Sequence, residues 1–319
     1  MECEICENND NNKIYNVKEM MFGLEDAFDY SECSKCGCLQ IAQIPNEMSK
    51  YYPENYYSFE DSSINLFYEL KNQLRKIRYD YAITEKGSLG SILNKLYPAY
   101  DIYSLMRAEI NRDSRILDVG CGKGYMLSSL RDAGFKKLLG IDPFIKKDFE
   151  HENGVLILKR HLQDLDHQFD LIMFNHSFEH MSNPFETLLR VSELLSKGGI
   201  CLIRIPTVTS YAWKKYKADW VSLDAPRHFF LYSLYGIKLI ASKAGLALKD
   251  YYYDSTDFQF SGSELYKCGI PLYPRTTCGK IKKMYIFNVY SRIKDFNKMA
   301  ENLNKDKMGD QVSLFFSKM

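Results

Sequence analysis

Short apolar runs alternate with amphipathic stretches through the middle of the chain. The runs are residues 115–119 (RILDV), 137–142 (KLLGID), 155–159 (VLILK), 170–175 (DLIMFN) and 200–205 (ICLIRI). Between them lie helical patterns, the clearest being residues 183–199, where Asn183 suits an N-cap and Pro184 the first helical position. Continuous apolar strands that alternate with helices are typical of a parallel sheet covered on both faces. We therefore predict an α/β, doubly wound, Rossmann-like fold.

The pattern changes on both sides of this alternation, which predicts three parts of the chain. Residues 1–44 are turn-rich and carry cysteines; residues 45–112 are rich in tyrosine and contain a helical pattern over 65–81. Residues 113–319 hold the alternating core and a C-terminal extension. In that extension we predict a helix ending at Gly245, a strand over 247–254, a lysine-rich helix near 280–304 and a last strand over 310–318.

Charge and composition exclude some classes of partner. The 319 residues are 45% hydrophobic and carry a net charge of +1, from 42 basic and 41 acidic side chains. Because a balanced charge attracts polyanions weakly, we expect no nucleic-acid partner. The polar start, MECEICENND, is unlike a signal peptide, and no apolar run reaches the roughly 20 residues of a membrane span. We expect a cytoplasmic protein; nothing in the sequence indicates its oligomeric state.

Five of the nine cysteines fall before residue 40, and four of these form two pairs with two-residue spacing. Cys3 with Cys6 and Cys33 with Cys36 each offer two thiolates from a tight turn, and four thiolates complete a tetrahedron around zinc. This spacing predicts a closed, structural zinc site that stabilises a small module. Cys38 replaces Cys36 if the register of the second pair differs.

The sequence LDVGCGKG (residues 117–124) joins a predicted strand to a predicted helix at the carboxyl edge of the sheet, where doubly wound folds bind ligands. Gly120 and Gly122 let a ligand approach the backbone, and Gly124 lets the helix pack closely. A carboxylate at Asp118 repels a pyrophosphate and favours a ligand that carries an ammonium and a sulfonium. Asp142 ends the next strand, where a carboxylate binds both ribose hydroxyls.

Residues 115–205 resemble a class I S-adenosylmethionine-dependent methyltransferase. LDVGCGKG is similar to that family's first motif and GIDP (140–143) to its second. FDLIMFNHSFEHMSNP (169–184) is similar to its fourth-strand motif with the common Glu-His pair, and LLSKGGICLIRIP (194–206) to the segment that leads to strand five. The resemblance implies S-adenosylmethionine as cofactor and a seven-stranded sheet whose antiparallel last strand is residues 310–318.

The resemblance also implies a set of cofactor-binding residues. Gly120 and Gly122 line the methionine part of the cofactor, and Asp142 binds its ribose. Leu162 and Gln163 lie where the family encloses adenine, and Asn175 and His176 lie near the methionine end. The full expected set is Asp118, Gly120, Cys121, Gly122, Asp142, Leu162, Gln163, Asn175 and His176.

The layout of an N-terminal zinc module, this core and a C-terminal extension resembles bacterial methyltransferases of sugar and surface-polysaccharide pathways. DAPRHFFLYS (224–233) and QFSGSELYKCGIPLY (259–273) are similar to their later motifs. Sugar C-methyltransferases of this layout have a Glu-His pair where this chain has Arg227 and His228, a departure that favours transfer to oxygen. We expect a small-molecule or glycan acceptor, His228 as general base, and Arg227 binding an anionic group of the substrate.

Other interpretations stay open. An RNA methyltransferase with a zinc module is one, although the balanced charge and the lack of a basic arm count against it. A sugar C-methyltransferase, a non-catalytic scaffold and a nicotinamide dehydrogenase are the others.

His180, paired with Glu179, is expected to be structural. The tyrosines of residues 51–59 are expected to form either a lid over the cofactor or a packed strap.

Overall fold

The computed structural model describes residues 1–24, 26–52, 66–97, 100–273 and 280–319. The chain forms two compact units. The first unit comprises residues 1–52, 178–188 and 204–314, and the second comprises residues 53–177, 189–203 and 315–319. The three parts expected from sequence, 1–44, 45–112 and 113–319, stay a prediction.

The described strands form two sheets. They are β1 Lys13–Lys18, β2 Ala27–Glu32, β3 Leu39–Ile41, β4 Arg115–Val119, β5 Lys137–Ile141, β6 Phe149–Glu150, β7 Leu156–Leu158, β8 Phe169–Asn175, β9 Leu195–Pro206, β10 Phe230–Leu231, β11 Leu246–Tyr253 and β12 Gln311–Lys318. The small sheet has the order β1-β2-β3-β10, and the large one the order β11-β12-β9-β8-β4-β5-β7-β6.

The described helices occupy the intervals between strands. They are α1 Leu66–Thr84, α2 Ser88–Leu96, α3 Tyr100–Arg107, α4 Tyr125–Asp132, α5 Pro184–Leu194, α6 Tyr211–Tyr216, α7 Leu234–Lys243, α8 Phe258–Lys267, α9 Lys280–Ser291 and α10 Ile293–Lys305. Pro184 begins α5 as predicted, and the carbonyl of Asn183 accepts the amide of Thr187 at 3.0 Å. The lysine-rich segment is two helices, α9 and α10, which part at Arg292.

The large sheet confirms the predicted α/β, Rossmann-like class. Strand β4 pairs in parallel with β5 on one side and β8 on the other, and β5 pairs in parallel with β7. Ile116, Leu117 and Ile172 are fully buried, as expected for central strands covered on both faces. The described sheet has eight strands rather than seven, because the two-residue β6 adds an antiparallel edge to β7.

The small sheet lies within the first unit and is antiparallel throughout. Its β10 comes from far along the chain and pairs with β3, where Phe230 lies opposite Gln40. The buried Tyr30 hydroxyl donates to the carbonyl of His228 at 2.8 Å, which links β2 to the turn that precedes β10. Among the described residues, no helix is both long and apolar enough to cross a bilayer.

Candidate active site

A glycine turn follows β4 in the second unit. The Gly120 amide donates to the carbonyl of Ile141 at 2.8 Å, so the turn folds back onto the end of β5. Gly120 has a φ of +71°, and a Cβ there would lie 2.6 Å from the Cβ of Ser177. Both facts exclude a side chain at this position. At Gly124 a Cβ would overlap Ile157 of β7, so the third glycine allows close packing of the helix start.

Two carboxyl groups lie at this turn and differ in their partners. Asp142 Oδ2 accepts the amide of Gly122 at 2.9 Å, and its Oδ1 accepts the amide of Phe144 at 2.8 Å. Asp118 is buried, and within the described part of the chain its Oδ1 has no hydrogen-bond partner. Burial, and then the charge of Asp142, raises the pKa of Asp118 to about 8. A cationic ligand group would satisfy this oxygen and favour its ionised form, which fits S-adenosylmethionine.

The segment after β8 is held against the glycine turn. Ser177 Oγ donates to the carbonyl of Val119 at 2.6 Å, and the Asn175 amide donates to the sulfur of Met126 at 3.2 Å. His176 adopts a left-handed backbone with a φ of 52°. Because β4, β5, β7 and β8 are parallel neighbours, the residues that follow them meet at one edge of the sheet.

Three further expected cofactor-binding residues lie at the same edge. Leu162 and Gln163 belong to a short 3₁₀ turn, Leu162–Asp164, beyond the end of β7; Leu162 is buried and Gln163 exposed. Cys121 lies inside the glycine turn, where burial and then Asp118 raise the pKa of its thiol well above its ordinary value. The thiol is therefore neutral at physiological pH, so it contributes shape rather than a charge.

A second cluster of polar side chains lies in the first unit and joins Glu179, His180 and His228. Glu179 and His180 come from the 3₁₀ turn Phe178–His180, and His228 from the turn before β10. The two imidazole rings lie 4.8 Å apart, and His228 Nε2 lies 3.9 Å from Glu179 Oε1. One potential ligand atom of each residue lies within 4.8 Å of the others. Sequence reasoning missed this association and expected His180 to be structural; the only signal was the Glu-His pair itself.

Backbone carbonyls determine the tautomers of both histidines. His180 Nδ1 lies 2.7 Å from the carbonyl of Arg227, and His228 Nδ1 lies 2.8 Å from the carbonyl of Ser222. A carbonyl only accepts, so each Nδ1 carries a hydrogen, which in a neutral ring leaves the lone pair on Nε2. Burial, and then His180, lowers the pKa of His228 to about 4. The His228 imidazole is therefore neutral near pH 7 and accepts a proton through Nε2.

Arg227 does not fit the expected role of binding the substrate. Its side chain is fully buried, and its guanidinium donates to Asp224 at 2.6 Å, to Glu19 at 2.9 Å and to the carbonyl of Tyr51 at 3.2 Å. Burial opposes its charge, but Asp224 and then Glu19 outweigh burial and raise the pKa of Arg227 above its ordinary value. The expectation is corrected: this arginine holds the turn before His228 to the N-terminal segment.

The four cysteines expected to bind zinc are brought together. Cys3 Sγ lies 3.5 Å from Cys36 Sγ, Cys6 Sγ lies 3.5 Å from Cys33 Sγ, and all four sulfurs lie within 4.8 Å of one another. Four thiolates around zinc at about 2.3 Å place sulfurs roughly 3.8 Å apart, so the donor set fits the metal. Cys38 is outside the group, and its sulfur accepts the amide of Ser233 at 3.4 Å.

One sequence expectation concerns a segment that is mostly undescribed. The tyrosine-rich segment, residues 51–59, lies outside the described residues from position 53 onward. Tyr51 itself is buried, and its hydroxyl donates to Asp26 Oδ2 at 3.1 Å.

Comparison with known proteins identifies the domain that contains the glycine turn. A methyltransferase domain family matches residues 94–250. A tRNA U34 carboxymethyltransferase from Campylobacter hominis is 28% identical over 156 residues, which cover 44% of this chain and 54% of that protein. A tRNA U34 carboxymethyltransferase from Cellvibrio japonicus is 34% identical over 100 residues, which cover 28% of this chain and 31% of that protein.

Among solved structures, a mycolic acid cyclopropane synthase aligns with a TM-score of 0.46 at 15% identity, over 79% of this chain and 95% of that one. The alignments with the two tRNA-modifying enzymes span about half or less of those relatives' own length. Residues 94–250 are a class I S-adenosylmethionine-dependent methyltransferase domain, as the glycine turn and its two acids predicted.

The comparisons correct two expectations. The expectation of no nucleic-acid partner is wrong, because the curated relatives are named as enzymes that act on tRNA. The expected sugar and surface-polysaccharide class is not supported by these relatives. The balanced net charge misled the first expectation, since a total of +1 conceals how the charges are distributed along the chain.

Proposed function

We propose that this protein is an S-adenosylmethionine-dependent methyltransferase whose acceptor is RNA. The observation that carries the acceptor class is the match of its methyltransferase domain to two tRNA-modifying transferases. Two features support the chemistry. One is the buried carboxyl of Asp118 at the glycine turn, and the other is the buried, neutral imidazole of His228, whose tautomer is determined by the carbonyl of Ser222. This was the alternative interpretation of the sequence, and the comparisons favour it over a glycan acceptor.

The cofactor would be held at the carboxyl edge of β4, β5, β7 and β8. Asp118 would face its positive charge, the turn at Gly120 to Gly122 would admit its methionine part, and Asp142 would bind the ribose hydroxyls. Leu162, Gln163, Asn175 and His176 would complete the surroundings. When bound, S-adenosylmethionine supplies a methyl group activated by a sulfonium.

His228 would act as the general base. Methyl transfer to a hydroxyl or amine leaves a proton on the acceptor, and a base within reach removes it. The carbonyl of Ser222 holds the hydrogen on Nδ1, so the lone pair on Nε2 receives that proton. Glu179, 3.9 Å from Nε2, would stabilise the imidazolium that forms. Glu179 and His180 are positioning residues in this proposal.

Zinc bound by Cys3, Cys6, Cys33 and Cys36 would be structural. Four thiolates close the coordination shell, so the metal has no open position for substrate. The cluster fastens the start of the chain to the turn before β3, and the hydroxyl of Ser233 donates to the carbonyl of Cys36 in the same unit.

The test of this proposal uses methyl-labelled S-adenosylmethionine with unmodified tRNA, total RNA and a panel of nucleotide sugars. Label that enters RNA and is released by nuclease supports the proposal. We expect His228→Gln to lower the rate about 10²- to 10⁴-fold, the usual worth of a general base. The matched control is His167→Gln, because the His167 side chain is 80% exposed; its rate should not change. Label in a nucleotide sugar and none in RNA overturns the acceptor class.

A further inference from the structure

Helix α9 and the residues that follow it form a local concentration of positive charge. Positions 280–294 contain five basic residues and no acidic one, in a chain whose net charge is only +1. The basic residues are Lys280, Lys282, Lys283, Arg292 and Lys294. The net charge of the whole chain does not reveal this local positive charge.

The same helix exposes large apolar side chains. Phe287 is 76% exposed, Met284 69% and Tyr290 52%, whereas Val289 is buried. Lys282 and Lys283 are also exposed. Because Val289 anchors the opposite side of α9, these exposed side chains are not the helix's contribution to the core. A helix that exposes a phenylalanine and a tyrosine to water loses the free energy that their burial would supply.

Helical spacing places the lysine and the rings together. Lys283 and Phe287 are four residues apart, and Phe287 and Tyr290 are three apart, so all three lie on one face of α9. Met284 borders the same face. We call Lys283, Met284, Phe287 and Tyr290 the basic-aromatic face.

We propose that the basic-aromatic face docks single-stranded RNA, an inference that rests on the proposed function because it supplies the contact for the acceptor. Aromatic side chains stack on unpaired bases, and neighbouring lysines neutralise the phosphates between them; this combination is how sequence-tolerant single-strand binding works. Positions 280–294 hold five basic residues and no acidic one, and Lys283 among them lies on the basic-aromatic face, so the local charge suits a polyanion.

The arrangement favours RNA over a lipid surface. An interfacial membrane helix separates its charges from its apolar face. In α9, Lys283 shares a face with Phe287 and Tyr290 rather than lying opposite them. A lysine beside two exposed rings can contact a phosphate while the rings stack on neighbouring unpaired bases.

The test measures RNA affinity directly, without turnover. Full-length protein is titrated into a fluorescein-labelled single-stranded RNA oligonucleotide, and anisotropy is followed over a series of salt concentrations. We expect Phe287→Ala and Tyr290→Ala each to weaken binding about tenfold, or about 1.4 kcal/mol, within the usual range for base stacking. Phe287→Tyr keeps an aromatic ring and should bind as the wild type does. Lys283→Glu should reduce the slope of log affinity against log salt by about one.

The matched controls are Tyr235→Ala, an aromatic side chain that is 57% exposed on α7, and Lys249→Glu, an exposed lysine on β11. Both should bind RNA as the wild type does. RNA affinity unchanged by Phe287→Ala and Tyr290→Ala overturns the proposal. The proposal is also overturned if these variants keep their RNA affinity but lose binding to phosphatidylglycerol vesicles. The same holds if they keep their RNA affinity but lose a dimer that light scattering detects in the wild type.

The outcomes separate this inference from the proposed function. Wild-type protein that methylates RNA while the ring variants bind it normally refutes the basic-aromatic face and leaves the proposed function intact. Wild-type protein that binds RNA through the face but transfers no methyl to it refutes the proposed function and leaves the face intact.

Discussion

Replacement of Asp118 by asparagine should abolish a proton release that accompanies cofactor binding. Asp118 is buried at the end of β4, and its Oδ1 has no hydrogen-bond partner within the described part of the chain. Burial and Asp142 raise its pKa to about 8, so this acid is mostly protonated at pH 7 before any ligand binds. A ligand that brings a positive charge favours the carboxylate, and its binding must then release the proton.

The raised pKa determines the size of the effect. With a pKa of about 8 in the ligand-free protein, an acid is about 90% protonated at pH 7, so binding releases up to about 0.9 proton. If the cofactor lowers that pKa below about 5, affinity should rise roughly 50-fold between pH 6 and pH 8. The Asp118→Asn variant has no titrating group at this position, so its affinity for the cofactor should not show this rise between pH 6 and pH 8.

Calorimetry in two buffers of different ionisation enthalpy counts the released protons, and the comparison of wild type with Asp118→Asn cancels the titration of the cofactor's own amine.

The ligand-free protein supplies an independent check. Its folded state retains a proton between about pH 4 and pH 8 that the unfolded chain has lost, so its stability should fall as pH rises through that window. In urea unfolding, the free energy of unfolding of Asp118→Asn should not show this fall between about pH 4 and pH 8. Equal proton release by both proteins would show that Asp118 does not face a cation.

Three further predictions follow from the first unit. The acid limb of kcat/KM for the acceptor, measured at saturating cofactor so that Asp118 does not contribute, should lie near pH 4, since the pKa of His228 is about 4 and the base is neutral above it; a limb near pH 6.5 would contradict the buried environment. Arg227→Met should lower the free energy of unfolding in urea by about 3–5 kcal/mol, because Glu19 and Asp224 lose their buried partner, and should leave cofactor affinity unchanged; a cost below about 1 kcal/mol would refute that role. Cys33→Ser should abolish bound zinc in elemental analysis and lower the melting temperature by about 10 °C, whereas Cys38→Ser should retain the metal; full zinc in Cys33→Ser would exclude the four-cysteine site.

Local patterns in the sequence were sufficient for three central strands and the turn, whereas β9 begins at Leu195, within the predicted helical pattern 183–199. The predicted strand at 115–119 coincides with β4, and the strands predicted over 137–142 and 170–175 differ from β5 and β8 by one residue at one end. The glycines of the turn and the acid before it were also readable, because a left-handed backbone and close packing at a strand end require particular residue types. Periodicity and turn chemistry depend on near neighbours, which a sequence displays directly.

Longer-range relations were not readable in this way. Arg227 resembled a substrate-binding residue because its charge is visible in the sequence, whereas its complete burial between Asp224 and Glu19 is not. The association of His180 with His228 depends on two turns that are 48 residues apart in the chain, at positions 180 and 228.

Spacing in the sequence was enough to nominate four cysteines, a glycine turn and two acids, because metal and ligand geometry constrain neighbouring positions. Tertiary packing alone established that Asp118 is mostly protonated before ligand binds, that His228 is neutral, and that Cys36 rather than Cys38 completes the sulfur cluster. A protonation state depends on the water removed and the charges brought near by distant segments, and those quantities exist only once the chain is folded.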